Sequence, residues 1–594
     1  MSGLLATSFA DRSRFERRAE LDRLAQDRQA DLGLILGLSW ITRGGQADID
    51  YAGSLSTNKI FSGLTKLAKS VPWEVKWNSA ELANESKALP SFRDALLEAA
   101  PVDLHQEDTT EERRRRKGLG KYRDFAGILS QIDTAAIASF ALDIRHSRHK
   151  LIHSHDPPLL PFPRVNGPSF GSAHVFYTIE FYDATKWIIK IPANGTPDTW
   201  DKLNTEAVRA EALVLNLLKT ETKVPVPEII DADSGPHNEL HVPYLMMEFV
   251  EGQPLDRVWF GDGEGEGKLG EKRIKILRGL AKAMLQLGKF EFDRGGAPVF
   301  DNEGFLVGVG PLRELDVQAM VQRWLGDEDC EREPLYTGAG SFSDVAGMYT
   351  ALLNQYPSDT ETGIGVDRLL RILVGLIREP EDPTSHKGKE TENRRKKKRF
   401  VLTHSDLGMR NIIVSKEGDI RGILGWDGAR AAPKSMGNEA LPRWLVRDFN
   451  PFVWRWQPPP ELWRTKSYED EPEGNRFEDA PWVLRELRDE YAKILRGLGQ
   501  ENGRDADMNA GLDVTKQSLL TLNLDAAVRD PRCRVAVLRR ILEKCSRASE
   551  EFDFNKIVET LGDGEQLDGY KLKCLERNLG ELIDRGYVRG AVVW

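Results

Sequence analysis

The chain has 594 residues, 40% of them hydrophobic and 30% charged, and a net charge of −10. This length exceeds what a single hydrophobic core supports, so two or three domains are expected. The acidic balance disfavours nucleic acid as a partner. No segment reaches the roughly 18 consecutive apolar residues of a membrane-spanning helix, and the N-terminus lacks a secretory pattern, so no membrane partner is expected. Four widely spaced cysteines predict neither disulfides nor a zinc site, which favours a cytoplasmic protein with reduced thiols.

The first 150 residues contain no recognisable functional motif. Residues 9–32 favour a charged surface helix, 80–120 a mobile charged segment, and 121–145 a helix with one apolar face. The cluster of prolines between 157 and 163 breaks this helix and marks the first domain boundary. Residues 1–150 are therefore predicted to be an extension that is partly helical and partly disordered.

Two β-strands joined by a hairpin are predicted next. Alternating apolar residues mark them at Val175–Phe181 and Trp187–Ile191, after the turn-forming residues 165–172. The second strand contains Lys190, and a buried ammonium is costly unless it is paired. A lysine at the strand edge with its amine in water is the alternative.

A helix is predicted over residues 201–220. It carries Glu211, the first candidate partner for Lys190. Glu206 lies five residues earlier, hence on a different helical face, and is the second choice.

The following segments carry weaker signals. Residues 244–252 form an apolar stretch that ends in Glu-Gly and fits a strand followed by a turn, and 271–290 show the apolar spacing of a core helix. Residues 377–399 fit a solvated loop. Its basic run, Arg394 to Arg399, is a nuclear import signal, a phosphate-attracting patch or only a soluble linker.

The most informative segment runs from Val401 to Asp427. An apolar strand leads to His404, Asp406 follows, Asn411 comes five residues later, and a second apolar strand begins at once. This is the His-x-Asp-x-x-x-x-Asn spacing of kinase catalytic loops. In such loops the aspartate accepts the proton of a substrate hydroxyl, and the asparagine holds a magnesium ion. The sequence therefore predicts phosphoryl transfer from this loop.

These residues resemble the aminoglycoside phosphotransferase and choline kinase-like family in its fungal form. Family members typically read T-H-G-D-x-x-x-x-N-I-[LI]-V and then G-[IL]-[IL]-D-W-[ED], to which Thr403–Val414 and Gly422–Asp427 are similar. The resemblance implies an α+β, bilobal protein-kinase-like fold. Its parts would be a small β-rich lobe over 165–252, a large and mostly helical lobe over 253–545 with the catalytic loop at 403–414, and a helical tail over 546–594.

The resemblance also implies ATP and Mg²⁺ as cofactors. Asp406 would be the catalytic base, His404 would support the loop, and Asn411 would be a magnesium ligand. Lys190 would contact the α- and β-phosphates, with Glu211 orienting it. The remaining nucleotide contacts would come from a turn over the phosphates and from the backbone of the segment between the lobes: Gly167, Ser169, Gly171, Glu248 and Val250.

One position departs from the family pattern. Gly425 stands where the family has a metal-binding aspartate, and glycine offers no side-chain oxygen to magnesium. Asp427 is the nearby substitute. If the segment is extended, residues 425 and 427 face the same side, and the Asp427 carboxylate reaches the site from roughly 7 Å further along. Asp427 is therefore the second predicted metal ligand.

Three functions follow from these features. The first is an ATP-dependent phosphotransferase acting on a hydroxyl of a small molecule, which the retained Asp406 and Asn411 favour. The second is a catalytically impaired kinase fold that binds a protein partner, which Gly425 favours. The third, nucleic-acid binding through the basic runs, is disfavoured by the net charge of −10.

Overall fold

The computed structural model describes residues 125–153, 161–261, 266–316, 319, 335–377 without 356 and 359, 399–457, 477–501 and 513–590. The helix predicted over 9–32, the charged segment over 80–120 and most of the basic run before Phe400 lie outside the described residues.

The small lobe is built on one antiparallel sheet of five strands in the order β1-β2-β3-β5-β4. In β2, Val175, Tyr177 and Ile179 are buried while the residues between them are half-exposed, which is the period of two that the sequence predicts. The strands are β1 Arg164–Phe170, β2 His174–Glu180, β3 Lys186–Pro192, β4 Ile229–Asp233 and β5 Tyr244–Glu248.

Two helices from the N-terminal extension, α1 (Ala126–Gln131) and α2 (Thr134–His153), cover one face of this sheet. Ile128 and Ile137 are buried in one cluster with the apolar residues of β2, β3 and β5. Arg145 pairs with Asp183 at the β2–β3 turn. The last part of the extension therefore belongs to the core of the small lobe.

Helix α3 (Lys202–Glu221) confirms the predicted helix over 201–220. Asp201 caps it, because its Oδ1 accepts a hydrogen bond of 2.8 Å from the backbone N–H of Asn204. Val208, Glu211, Leu215 and Leu218 recur at helical spacing and are buried. This face packs toward the large-lobe core and brings Glu211 to β3.

The large lobe is mostly helical and has one continuous core. The predicted helix over 271–290 is confirmed with shifted ends, since the structure has it at Glu266–Leu285. Helices α11 and α12, in the predicted tail, bury Val558, Leu561 and Leu579 in this core. The helices are α4 Leu255–Trp259, α5 Glu266–Leu285, α6 Val345–Asn354, α7 Glu361–Leu376, α8 Pro481–Glu501, α9 Val514–Arg529, α10 Pro531–Cys545, α11 Phe554–Gly562 and α12 Gly569–Arg585.

Short strands lie between and around these helices. Two sheets of three strands, in the orders β15-β12-β7 and β14-β13-β6, flank the loop predicted to be catalytic. Two separate hairpins, β8–β9 and β10–β11, were not predicted. The strands are β6 Gln253–Pro254, β7 Glu291–Phe292, β8 Ala297–Phe300, β9 Leu306–Gly310, β10 Leu312–Leu315, β11 Tyr336–Ala339, β12 Phe400–Thr403, β13 Ile412–Val414, β14 Ile420–Ile423 and β15 Arg430–Pro433.

The architecture is thus α+β and bilobal, with a small sheet-based lobe joined to a large helical lobe by the segment between β5 and β6. This is the protein-kinase-like fold that the sequence predicts. No helix among the described residues is long and apolar enough to cross a membrane.

Candidate active site

A buried ion cluster lies where the two lobes meet. Nζ of Lys190, on β3, lies 2.7 and 2.9 Å from the two carboxylate oxygens of Glu211 on α3. It also lies 3.3 Å from Oδ1 of Asp427. Lys190 and Glu211 are each only 5% exposed. The sequence-based choice of Glu211 over Glu206 agrees with this geometry, because Glu206 instead lies 3.6 Å from Lys202 on the surface.

The charges of Lys190 and Asp427 stabilise each other, whereas burial raises the pKa of Glu211 despite the nearby charge of Lys190. Burial opposes the charge of Lys190, but Asp427 and Glu211 outweigh it and hold its pKa above the ordinary value. Asp427 lies deep in the cleft with its side chain still 43% exposed. Burial opposes its charge as well, but Lys190 holds the pKa of this carboxyl well below its usual range. Asp427 is therefore an anion that faces the opening of the cleft.

His404 ties the catalytic loop to the segment after β14. Its Nε2 lies 2.7 Å from the carbonyl oxygen of Leu424, and its Nδ1 accepts a hydrogen bond of 3.1 Å from the backbone N–H of Asp406. Burial lowers the pKa of His404 to about 4, so the ring is neutral near pH 7. Both ring nitrogens are engaged, which fits support of the loop better than proton transfer.

Asp406 and Asn411 come together on this loop. Nδ2 of Asn411 donates to the Asp406 carbonyl oxygen at 2.7 Å and lies 3.4 Å from the carboxylate Oδ2. Burial raises the pKa of Asp406, and the nearby charge of Arg443 acts against this rise. Nη2 of Arg443 also donates to the carbonyl oxygen of Ser405 at 3.0 Å. The loop therefore presents a carboxylate whose proton affinity is increased by its surroundings.

The segment around Gly425 is a turn, so the condition under which residues 425 and 427 would face the same side, an extended segment, is not met. The φ angle of Gly425 is +74°, in the left-handed region. A Cβ at this position would lie 3.1 Å from Oδ1 and Nδ2 of Asn411. The turn, and not strand alternation, brings Asp427 to Lys190, and it leaves position 425 directly beside the amide of Asn411.

The glycine turn predicted over 165–172 is wrong in its extent. Gly167 and Ser169 lie within β1, whose pairing with β2 shifts register between Asn166 and Ser169, and the chain turns only between Gly171 and His174. The backbone N–H of Gly171 donates to the carbonyl oxygen of His174 at 2.9 Å. Of the predicted phosphate-covering residues, the structure therefore places only Gly171 in the turn itself.

The segment between the lobes lies where the sequence predicts it. Glu248 is the last residue of β5, and its backbone N–H donates to the carbonyl oxygen of Glu228 at 2.9 Å. Val250 follows and lies against Gly422 of β14. The backbone at Glu248 and Val250 thus runs along the edge of the cleft, between the two sheets.

Sequence analysis missed three side chains that lie near the Lys190 cluster: His174 on β2, Arg313 on β10 and Tyr336 on β11. Burial, reinforced by the charge of Lys190, lowers the pKa of His174 to about 3. Burial raises the pKa of Tyr336. No motif marks these residues, and only the packing of the β10–β11 hairpin against α3 reveals Arg313 and Tyr336.

One family model matches part of the chain. Residues 176–335 match the model of the family described as "Phosphotransferase enzyme family". The match contains Lys190 and Glu211 and ends before the loop over 403–414 that is predicted to be catalytic. This part of the chain is therefore similar to the phosphotransferase family, in agreement with the resemblance inferred from the sequence.

One fungal protein matches a short part of the chain. "Altered inheritance of mitochondria protein 9, mitochondrial" of Candida glabrata is 23% identical over an alignment of 150 residues, and the match covers 23% of this chain and 23% of that protein. The match thus spans less than a quarter of either protein.

Two solved structures of phosphotransferases are similar at low identity. A thermostable mutant of aminoglycoside phosphotransferase APH(4)-Ia, in a ternary complex with AMP-PNP and hygromycin B, is 12% identical, with a TM-score of 0.31 over 73% of this chain and 97% of that one. Macrolide 2'-phosphotransferase type I is 13% identical, with a TM-score of 0.31 over 69% of this chain and 98% of that one. The fold assignment rests on the elements described above and on the family match.

Proposed function

We propose that this chain is an ATP-dependent phosphotransferase whose acceptor is a hydroxyl group of a small molecule. The observation that supports this most is the contact of Lys190 with both Glu211 and Asp427, beside the loop that carries Asp406 and Asn411. These residues come from β3, α3 and the large-lobe loops, and only the folded bilobal structure brings them together.

The cleft has the groups that a bound ATP needs. Lys190 would hold the α- and β-phosphates while Glu211 keeps its ammonium in place. The turn at Gly171 would cover the phosphates, and backbone groups at Glu248 and Val250 would bind the edge of the adenine ring. Gly167 and Ser169, inside β1, would act by supporting that turn.

One magnesium ion fits the polar groups that are present. No group of three or more His, Cys, Asp or Glu side chains that could hold a metal is found in the part of the chain that the structure describes. Magnesium, however, is usually held by one or two protein ligands together with phosphates and water. Asn411 and Asp427 would be those protein ligands. The bound ion would supply positive charge that neutralises the phosphates.

The reaction would be an in-line transfer. Asp406 would accept the proton of the acceptor hydroxyl while the hydroxyl oxygen bonds to the γ-phosphorus. The bond from that phosphorus to the β–γ bridging oxygen would break, and ADP would leave. The raised pKa of Asp406 suits a base that works near neutral pH. His404 would keep Asp406 in position through the hydrogen bond at 3.1 Å.

A second function is favoured by one observation, the absence of a side-chain oxygen at Gly425. With fewer metal ligands the protein would bind nucleotide without turnover and act on a protein partner. Formation of ADP from ATP in the presence of a panel of small hydroxyl compounds separates the two functions, because the second predicts none.

Gly425→Asp is expected to increase magnesium-dependent ATP affinity by about 10-fold or more, since even outer-shell partners change metal affinity by 10- to 100-fold. The new carboxylate would lie beside the Asn411 amide, and aspartate tolerates the left-handed backbone at φ +74°. Calorimetric titration of ATP, with magnesium and with a chelator, measures the effect.

Gly428→Asp is the matched control for this titration. Gly428 also has a left-handed φ, +68°, but its added Cβ would face Ser405 and not Asn411. It adds the same charge to the same turn, so its magnesium dependence should equal that of the parent. Equal titrations for Gly425→Asp and the parent would show that position 425 lacks no metal ligand.

The cellular location is proposed separately. The composition favours the cytoplasm, the basic run ending at Arg399 leaves nuclear import open, and the name of the Candida glabrata relative contains the word mitochondrial. Fractionation of cells that express the full chain, tagged at its C-terminus, distinguishes the three compartments.

A further inference from the structure

The β10–β11 hairpin brings an arginine into the cleft. The guanidinium carbon of Arg313 lies 3.4 Å from the centroid of the Tyr336 ring, and its Nη2 donates to Oδ1 of Asn204 at 2.7 Å. Asn204 is buried in the first turn of α3. Stacking on one side and this hydrogen bond on the other fix the plane of the guanidinium.

The guanidinium is held in place, but one of its N–H donors makes no hydrogen bond. Its Nε is buried and has no hydrogen-bond partner among the described residues. A buried donor without a partner costs free energy, so it calls for an explanation such as an absent ligand. A planar guanidinium offers paired N–H groups that match the oxygens of a phosphate.

The charges around the cleft show which ligand would fit. After burial and the charge of Lys190, the charge of Arg313 is a further cause of the low pKa of His174, so Arg313 acts on the cleft itself. Lys190 carries one positive charge and contacts two carboxylates, and His174 is neutral. Without Arg313 this part of the cleft would therefore be net negative and would repel a polyphosphate.

The strand that carries Arg313 is anchored in the large lobe. Glu314 follows on β10 and, by strand alternation, points to the opposite side. There it pairs with Arg529 on α9 and lies 3.9 Å from Arg430 on β15. The hairpin thus holds Arg313 on a supported strand, which gives its charge a fixed position.

We propose that Arg313 binds the terminal phosphates of the nucleotide, an inference that rests on the ATP-dependent function proposed above. It supplies a fixed positive charge from outside the motifs of the catalytic loop and of β3. It would make the site prefer nucleotides with two or three phosphates over a monophosphate.

Arg313→Met tests this, with Arg209→Met as the matched control. Arg209, on α3, links that helix to the β8–β9 hairpin, because it donates to the carbonyl oxygens of Phe300 and Asp301. Calorimetric titration of each full-length variant with ATP and with AMP gives four affinities. We expect Arg313→Met to weaken ATP about 10-fold or more and AMP by less than about 3-fold, because only the charged hydrogen bonds to outer phosphates are lost. Arg209→Met should leave both affinities unchanged.

Three results would overturn the assignment: unchanged ATP affinity, equal losses for ATP and AMP, or the same loss in Arg209→Met, since each would show that Arg313 only anchors the hairpin. If thermal unfolding shows that Arg313→Met is not folded, Arg313→Lys replaces it. This variant keeps the charge but not the paired N–H groups. Its affinity for ATP should therefore fall about 3- to 10-fold, and its affinity for AMP should not change. A parent protein that binds no ATP would overturn the proposed function and this inference with it, whereas a parent that binds ATP as tightly as Arg313→Met would overturn this inference alone.

Discussion

Asp406→Asn is expected to lower the rate of ADP formation from ATP by about 10²- to 10⁴-fold, the range that a positioned general base contributes. Asparagine has nearly the same shape but cannot accept the proton of the acceptor hydroxyl. The backbone carbonyl of residue 406 remains as the acceptor for Nδ2 of Asn411, at 2.7 Å in the parent. The loop should therefore keep its geometry, and the ATP affinity should stay within about 3-fold of the parent value. This is expected when the substitution removes an interaction made only in the transition state.

The fold should not suffer from this change. Burial raises the pKa of Asp406, so removing its charge removes a destabilising feature and the melting temperature should not fall. Asp419→Asn is the control, because Asp419 lies on the β13–β14 turn with a half-exposed side chain paired to Lys275. Its rate should match the parent. An Asp406→Asn protein that keeps more than about a tenth of the parent rate would show that another group accepts the proton.

Sequence analysis could predict the parts of the site that depend on residues close together in the chain or on the local apolar pattern. His404, Asp406 and Asn411 lie within one short loop, and their spacing alone places them together. Lys190 was identified because a charge inside an apolar strand requires a partner. Glu211 followed from the resemblance, because the family places the partner glutamate of this lysine on the helix that became α3.

The parts that sequence analysis missed depend on contacts between distant residues. The turn at Gly425 depends on a left-handed backbone that brings Asp427 back to Lys190, across 237 positions of the chain. Arg313 and Tyr336 lie in a segment whose short strands show little apolar alternation, so nothing in the pattern predicts their hairpin. The packing of α1 and α2 on the small-lobe sheet was likewise unpredictable, because an apolar helical face does not specify which surface it covers.

Lys190→Met is expected to lower the free energy of unfolding by about 3–5 kcal/mol, the usual result of removing one partner of a buried ion pair. Glu211, 5% exposed, would lose its cation and would have to take up a proton or remain as an uncompensated charge. Asp427 loses the same partner but faces the opening of the cleft, where water can solvate it. Most of the loss should therefore come from Glu211. Urea unfolding of parent and variant measures the difference.

Lys186→Met, on the same strand, is the matched control. Lys186 lies 3.6 Å from Glu251, whose side chain is 77% exposed, so this surface pair should contribute no more than about 1 kcal/mol. The double variant Lys190→Met/Glu211→Gln should regain part of the stability, because it removes the uncompensated carboxylate of Glu211 as well as the ammonium of Lys190. If Lys190→Met lost no more stability than Lys186→Met, the contact between Lys190 and Glu211 would not be a stabilising ion pair.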